Sequence, residues 1–430
     1  MKQINKFALG AIAVAVAAGL AACGKKEEPK KEAPAAAAPA PAAEMVVKIG
    51  HVGPTSGQIA HLGKDNENAA RMAVEEANAK GISIGGKKVK FELQAEDDAG
   101  DPKQGTAVAQ KLVDAKVAGV VGHLNSGTSI PASAIYNTAG IPQITPSATN
   151  PKLTAQGFKG VFRTVANDVA QGGAIGTFAV KGMGGKKIAI IDDKTAYGVG
   201  LADEAEKAIK AAGGAIVIRE ALANEKEQDF KGVLTKVKAK NPDVIMFGGM
   251  DAQMGPMMKQ MKALGIKAKA IGGDGAQTGE FIKLAGDAAE GAYATLAGLP
   301  KEKMPQGAAF YDKYKAKFNV EVQAYAPFTY DATNIIIEAM QKAGTTEGAK
   351  VIDAIKAGTF TGVAGTYAYD DKGDMKDGAI TVFVVKGGKW EAAQIIGGPK
   401  EAAPAAAAAA PAAAAPAAPA AAPAKEEKKK

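Results

Sequence analysis

Small hydroxyl side chains gather at two places between Gly122 and Pro151: Ser126, Thr128 and Ser129 in LNSGTS, then Thr145, Ser147 and Thr149 in ITPSATNP. Apolar runs stop at Gly122 and at Ile144, and a turn-type cluster follows each. Ser126, Thr128 and Ser129 lie where a helix begins, and Pro131 suits its first turn. The first N–H groups of a helix have no intrahelical acceptor, so this place suits a small anion. The same residues also serve as ordinary caps and turn formers, and both readings stand at this point. An opposite charge is available in IGGDGAQ, where glycines flanking Asp274 bring the backbone close and leave its carboxylate unobstructed. Asp97, Asp98, Asp192, Asp193 and Asp251 also end strands but read as loop formers or N-caps. Met250 follows two glycines at a strand end, which places it to face a ligand.

Catalytic and metal chemistry find little footing. The glycines after the first strand, GHVGPTSG, lack the G-x-G-x-x-G spacing, and Gly63-Lys64 is followed by Asp65 where a phosphate loop needs Ser or Thr. The histidines His51, His61 and His123 have no metal-binding helical spacing, and a Ser126–His123 or Ser126–His51 pair lacks a nucleophile elbow. Met254, Met258 and Met261 share one helix face and read as core rather than as soft-metal ligands. Cys23 is the sole cysteine, which excludes disulfides, cysteine–zinc sites and cysteine nucleophiles from the folded part. No cofactor is expected.

The elements that must position these residues alternate. Met45–Val52 reads as a strand, followed by a helix from about Gly63 to Gly81, a strand Val89–Ala95, a helix opened by Asp101-Pro102, and a strand Val117–Val121. A second unit of the same kind begins after Thr164: strands at Lys187–Ile191, Ala215–Ile218, Val244–Phe247 and Ala268–Ile271 alternate with helices at Val199–Ala212, Phe230–Lys240 and Met254–Leu264. This order implies α/β architecture with doubly wound parallel sheets. TYAYD and ITVFVVK, around DDKGDMKDG, read as an antiparallel pair.

The chain has 430 residues and a formal charge of +8, but its ends differ from its middle. Lys2 and Lys6, the run AIAVAVAAGL and then Leu20-Ala21-Ala22-Cys23 read as a signal peptide over residues 1–22 whose last four positions look like a lipobox, making Cys23 the lipidated residue. Residues 23–44 and 397–430 are Ala/Pro-rich with Lys and Glu and read as a tether and a tail. A secretory signal without an aromatic–basic platform argues against nucleic acid as a partner.

The segments IGHVGPTSGQIAHLGKD, EDDAGDPKQGTAVAQKLV, GVVGHLNSGTSIPAS, TPSATNPKLT, DDKTAYGVGLA and GGMDAQMGPM together resemble the periplasmic branched-chain amino-acid-binding proteins of ABC importers. The resemblance covers nearly all of residues 45–396. It implies a type I periplasmic binding protein: two doubly wound lobes joined by a multi-strand hinge, residues 45–167 and 297–363 forming one lobe and 168–296 and 364–396 the other. It further implies a non-enzymatic, lipid-anchored periplasmic monomer that passes a Leu/Ile/Val-class amino acid to a membrane permease. A sensory receptor of the same fold is the alternative. Carried over by position, Ser126 and Thr149 would hold the ligand carboxylate, while the carbonyl of Ser147, the Thr149 hydroxyl and Asp274 would take its ammonium. Ala148 lies between them, and Tyr197 and Tyr325 match aromatic positions of the cleft. Leu62 and Met250 stand where leucine-binding members have tyrosines, Asp274 is one methylene shorter than their Glu, and Ala99 and Asn125 replace their disulfide.

Overall fold

The structure is a computed structural model that describes residues 44–398. The expected signal peptide, Cys23, most of the tether and all but the first residues of the tail lie outside the described residues. Two sheets organise the rest. The first runs, edge to edge, Ser83–Ile84, Lys87–Asp97, Met45–Gly53, Gly119–Val121, Gln143–Thr145 and Val161–Arg163. All its pairings are parallel except the short one between Ser83–Ile84 and its neighbour. The second runs Lys389–Gly397, Ala379–Lys386, Tyr293–Leu296, Lys269–Gly272, Val244–Gly248, Lys187–Asp192 and Ala215–Ala221. Its last five strands are parallel, and the first two are antiparallel additions.

Each sheet carries its own core because its parallel strands are apolar on both faces and need helices on both. Val47, Ile49, Phe91, Val121 and Ile144 of the first sheet pack with Val74 and Ile336. Ala189, Ile191, Ile245 and Phe247 of the second pack with Leu234, Phe281 and Met254, Met257, Met258 and Met261, so those methionines are core residues. Each such side chain contributes roughly 1.5–3 kcal/mol on burial, against ~0–1 for each exposed Lys–Glu pair, so the cores decide the fold.

Strand order reverses beside Met45–Gly53 in the first sheet and beside Lys187–Asp192 in the second. Loops that leave the carboxyl ends of strands at such points diverge and open a crevice. The loops after Gly119–Val121, Lys187–Asp192 and Val244–Gly248 lead to Ser126 and Tyr197 at the starts of their helices and to Met250, so topology brings these residues to the two switch points.

Two local expectations give way. The helix Ser126–Thr138 starts where its hydroxyls indicate, but Pro131 lies inside it rather than in its first turn. ITVFVVK does not pair with TYAYD. Ala379–Lys386 instead forms a hairpin with Lys389–Gly397 across Gly387-Gly388, both at positive φ, a two-glycine turn that matches strand twist. Thr366–Ala368 pairs with Thr359–Thr361, and Tyr367 and Tyr369 still pack on the first core, so the segment from residue 364 rejoins the second sheet only at Ala379.

Candidate functional site

Asp274 follows strand Lys269–Gly272 and is fully buried. Its neighbours are glycines because side chains must pass through the space a Cβ would take. A Cβ on Gly273 would lie 2.3 Å from the Tyr197 hydroxyl, and one on Gly275 would lie 2.6 Å from the Met250 sulfur. Tyr197, in helix Ala196–Ala211 capped by the Thr195 hydroxyl, donates to Asp274 Oδ1 at 2.8 Å. Tyr325, at the start of helix Ala326–Ala343, donates to Oδ2 at 2.8 Å. Tyr197 stands on the second sheet's side and Tyr325 on the first's, so the carboxylate is clamped by one phenol from each lobe. Burial raises the Asp274 pKa above the usual carboxylate range, and hydrogen bonds from Tyr325 and Tyr197 hold it back. Both phenols are pushed well above their ordinary value by burial and then by the Asp274 charge, which keeps them as donors.

Tyr325 is itself held by the first lobe. Asp65, buried in helix Ala60–Ala79, accepts backbone N–H groups from Gln323, Ala324, Tyr325 and Ala326 at 3.0–3.3 Å. A carboxylate at a helix start satisfies donors that the helix cannot, and here it fixes the backbone that carries the phenol.

The opposite wall is built from the two hydroxyl clusters, which tie each other in place. The Ser126 hydroxyl accepts from the Asn150 N–H at 3.2 Å, and the Ser147 hydroxyl donates to the Leu124 carbonyl at 2.9 Å. Arg163, wholly buried, donates to the carbonyls of Ala148 at 2.6 Å and Asn150 at 3.2 Å, gripping the backbone on either side of Thr149. Its Nε lies 2.6 Å from Asp374 Oδ1, a close charge contact without an aligned N–H. As the first residue of its helix, Ser126 has an N–H with no intrahelical acceptor, and the residue lines the cavity.

Beside Asp274 lies a polar group the sequence did not single out. Asp168, first residue of helix Asp168–Thr177, is fully buried, and neither carboxylate oxygen has a hydrogen-bond partner. The Thr149 hydroxyl and both polar atoms of the Gln171 amide are likewise buried and unpartnered. Burial drives the Asp168 pKa well above the usual range and the Asp274 charge adds to this; Thr149 lies near enough to pull it back without completing a hydrogen bond. Unpaired buried polar groups cost free energy, so a cation bearing several N–H donors would stabilise this corner.

Between the walls lies a cavity of only about 10 Å³, far below the ~300–1,000 Å³ of sites for drug-sized ligands. Ser126, Ser147, Tyr197, Met250, Asp274 and Tyr325 line it, joined by Leu124 and Asn125. Ala148, Thr149 and Leu62 are buried one layer back, Leu62 in the apolar cluster shared by Leu124, Tyr197, Met250 and Tyr325. His123 is no partner for Ser126: its Nδ1 contacts Asp98 at 2.9 Å and its Nε2 the Tyr136 hydroxyl at 3.0 Å, all buried. Asp168 and Gln171 were missed because their signal is lost hydration, which only the packed chain reveals. The arrangement sets a helix start on one wall against buried carboxylates on the other, with Leu124 and Met250 as an apolar wall.

A model of the periplasmic binding protein family matches residues 46–389. The chain is 37% identical over 339 residues to a leucine-, isoleucine-, valine-, threonine- and alanine-binding protein of Pseudomonas aeruginosa, covering 78% of this chain and 89% of that protein. It is 34% identical to a leucine-specific-binding protein of Salmonella typhimurium, covering 78% and 90%. Among solved structures it is similar to a branched-chain amino acid transporter substrate-binding protein of Streptococcus pneumoniae in complex with isoleucine. The TM-score is 0.75 and the identity 29%, over 82% of this chain and 99% of that one.

Proposed function

The chain belongs to the periplasmic binding protein family, a family of non-enzymatic substrate-binding proteins, and from that premise we propose that it captures an aliphatic α-amino acid for an ABC permease. The observation that carries this reading is the charge order across the cavity: the helix start at Ser126, whose N–H has no intrahelical acceptor, on one wall, and Asp274 with both oxygens clamped by tyrosines on the other. A zwitterion fits that order in one orientation. Its carboxylate lies at Ser126 and Thr149, its ammonium at Asp274 and the Ser147 carbonyl, and its side chain against Leu124 and Met250. Charge-assisted bonds at both ends supply affinity, while the apolar wall suits an aliphatic side chain. Relatives that bind leucine, isoleucine, valine, threonine and alanine, or isoleucine, agree with a mainly aliphatic ligand.

Closure of the two lobes over the ligand follows from the site being shared between them, and the closed rim is the surface a permease would read. Cys23 within LAAC supports lipid anchoring of the periplasmic protein. Calorimetric titration with L-leucine, L-isoleucine and L-valine tests the ligand class. Saturable micromolar or tighter binding of at least one is expected, and no heat with any of them at millimolar concentration would end the proposal. In membrane fractionation, Cys23→Ser should move the protein to the soluble fraction.

A further inference from the structure

The lobes also meet outside the cavity. His61, near the start of helix Ala60–Ala79 in the first lobe, places Nε2 2.7 Å from Oδ2 of Asp251, the first residue of helix Asp251–Ala263 in the second. The Asp251 side chain is fully buried, and that of His61 is 22% exposed. The same Oδ2 accepts the Thr278 hydroxyl at 2.6 Å, and that hydroxyl caps helix Gly279–Ala285 by accepting the Phe281 N–H. Asp251 is thereby fixed within its own lobe, while its remaining acceptor capacity points across the gap. Neither His61 nor Asp251 lines the cavity.

We propose that His61 and Asp251 form an affinity-setting clasp between the lobes, acting as positioning residues through closure rather than through the ligand, with the imidazolium as the form that holds. The clasp rests on the reading above that ligand binding and closure are coupled. Its physical basis is that a buried carboxylate needs a partner, and opening the lobes removes the one that the first lobe provides. The charges that act most strongly on His61 are acidic: Asp251, Glu280 on helix Gly279–Ala285, and Asp65 one turn along its own helix, where Lys64 is the neighbouring cation. Burial by itself would lower the imidazole pKa, but the Asp251 hydrogen bond and these charges outweigh it and raise it.

The direction of the pH effect follows. In an open form the solvated imidazole returns to its ordinary value of ~6.5, whereas the closed form holds the proton more tightly. Protonation therefore favours closure. The contribution is fully present below the open-form value and is lost as pH rises through the closed-form value. A ligand that requires closure binds more tightly in mild acid. Asp274 and Asp168 also titrate with closure, so the diagnostic quantity is the difference between the wild type and a His61 variant.

The test is calorimetry with L-leucine between about pH 6 and 9 on the full chain, comparing wild type, His61→Gln and His61→Lys. Interlobe separation of the same proteins without leucine is followed by fluorescence energy transfer. The wild type should lose affinity across this range beyond any loss in His61→Gln, because only its imidazole gives up the proton that holds the clasp. His61→Lys, cationic throughout, should keep the low-pH affinity. Parallel pH profiles for wild type and His61→Gln would overturn the clasp. If leucine binds none of the proteins, the ligand assignment fails and the separations decide the clasp: wild-type opening with rising pH that exceeds that of His61→Gln supports it, and identical responses overturn it.

Discussion

In the proposed function Asp274 is the carboxylate that faces the ligand ammonium. Asp274 keeps a raised pKa because it is buried, yet it accepts from two phenols that belong to different lobes. Asp274→Ala leaves Tyr197 and Tyr325 without their acceptor and the ligand ammonium without its counter-charge. Affinity for the amino acid should fall by ~2–5 kcal/mol, the range for truncating one partner of a buried, hydrogen-bonded charge pair. Unchanged affinity by calorimetry would remove Asp274 from the site. Ser126→Ala should cost less, on the order of 1 kcal/mol. It deletes the acceptor of the Asn150 N–H but leaves the N–H donors of the helix start. Complete loss of binding in that variant would mean that the hydroxyl, not the helix start, holds the anion.

The loop that carries Thr149 depends on an element behind it. Arg163 ends strand Val161–Arg163 and grips the carbonyls of Ala148 and Asn150, while Asp374 beside it also accepts from the Thr154 hydroxyl and the Asn167 amide. Arg163→Met should cost ~3–5 kcal/mol of stability in urea unfolding, because it strands a largely buried carboxylate. Adding Asp374→Asn should restore part of that stability but not the ligand affinity, since the two carbonyls stay unheld; recovery of both would refute a positioning role for Arg163. These dependencies explain what the sequence could show. Strand ends, the Asp101 cap and the hydroxyl clusters are local signals, and the Ser126 and Ser147 they single out line the cavity. The strand in ITVFVVK was legible, but its partner was not, because pairing is a tertiary choice; the local clue was Gly387-Gly388. Asp65 and Asp168 look like ordinary helix-start acids until packing shows one capping Tyr325 and the other unpaired. His61 and Asp251 are 190 positions apart, and nothing in either local pattern announces the other.

At the scale of the whole molecule, the question is why the empty clamp should open. Closing it without a ligand takes Asp274 and Asp168 out of water together, and the raised pKa of each shows that their charged forms resist this. An uncompensated buried charge costs several kcal/mol, so an unliganded closed form is penalised until a cation enters. In the proposed function the ligand ammonium would supply that cation, which makes closure conditional on the ligand, with the His61–Asp251 contact adding to it. Neutralising one carboxylate should therefore weaken the condition. Asp168→Asn keeps the side chain's size and is expected to shift the ligand-free protein at neutral pH toward the closed form. The measurements are a smaller radius of gyration by X-ray scattering and a smaller further contraction on adding amino acid. Mild acid should act on the wild type in the same direction: the closed-form carboxylate pKa values lie above the ordinary range, so falling pH protonates and stabilises the closed state first. Asp168→Asn should respond less to pH than the wild type. Equal radii for wild type and Asp168→Asn without ligand, at neutral pH and in mild acid alike, would show that buried carboxylate repulsion does not hold the lobes apart.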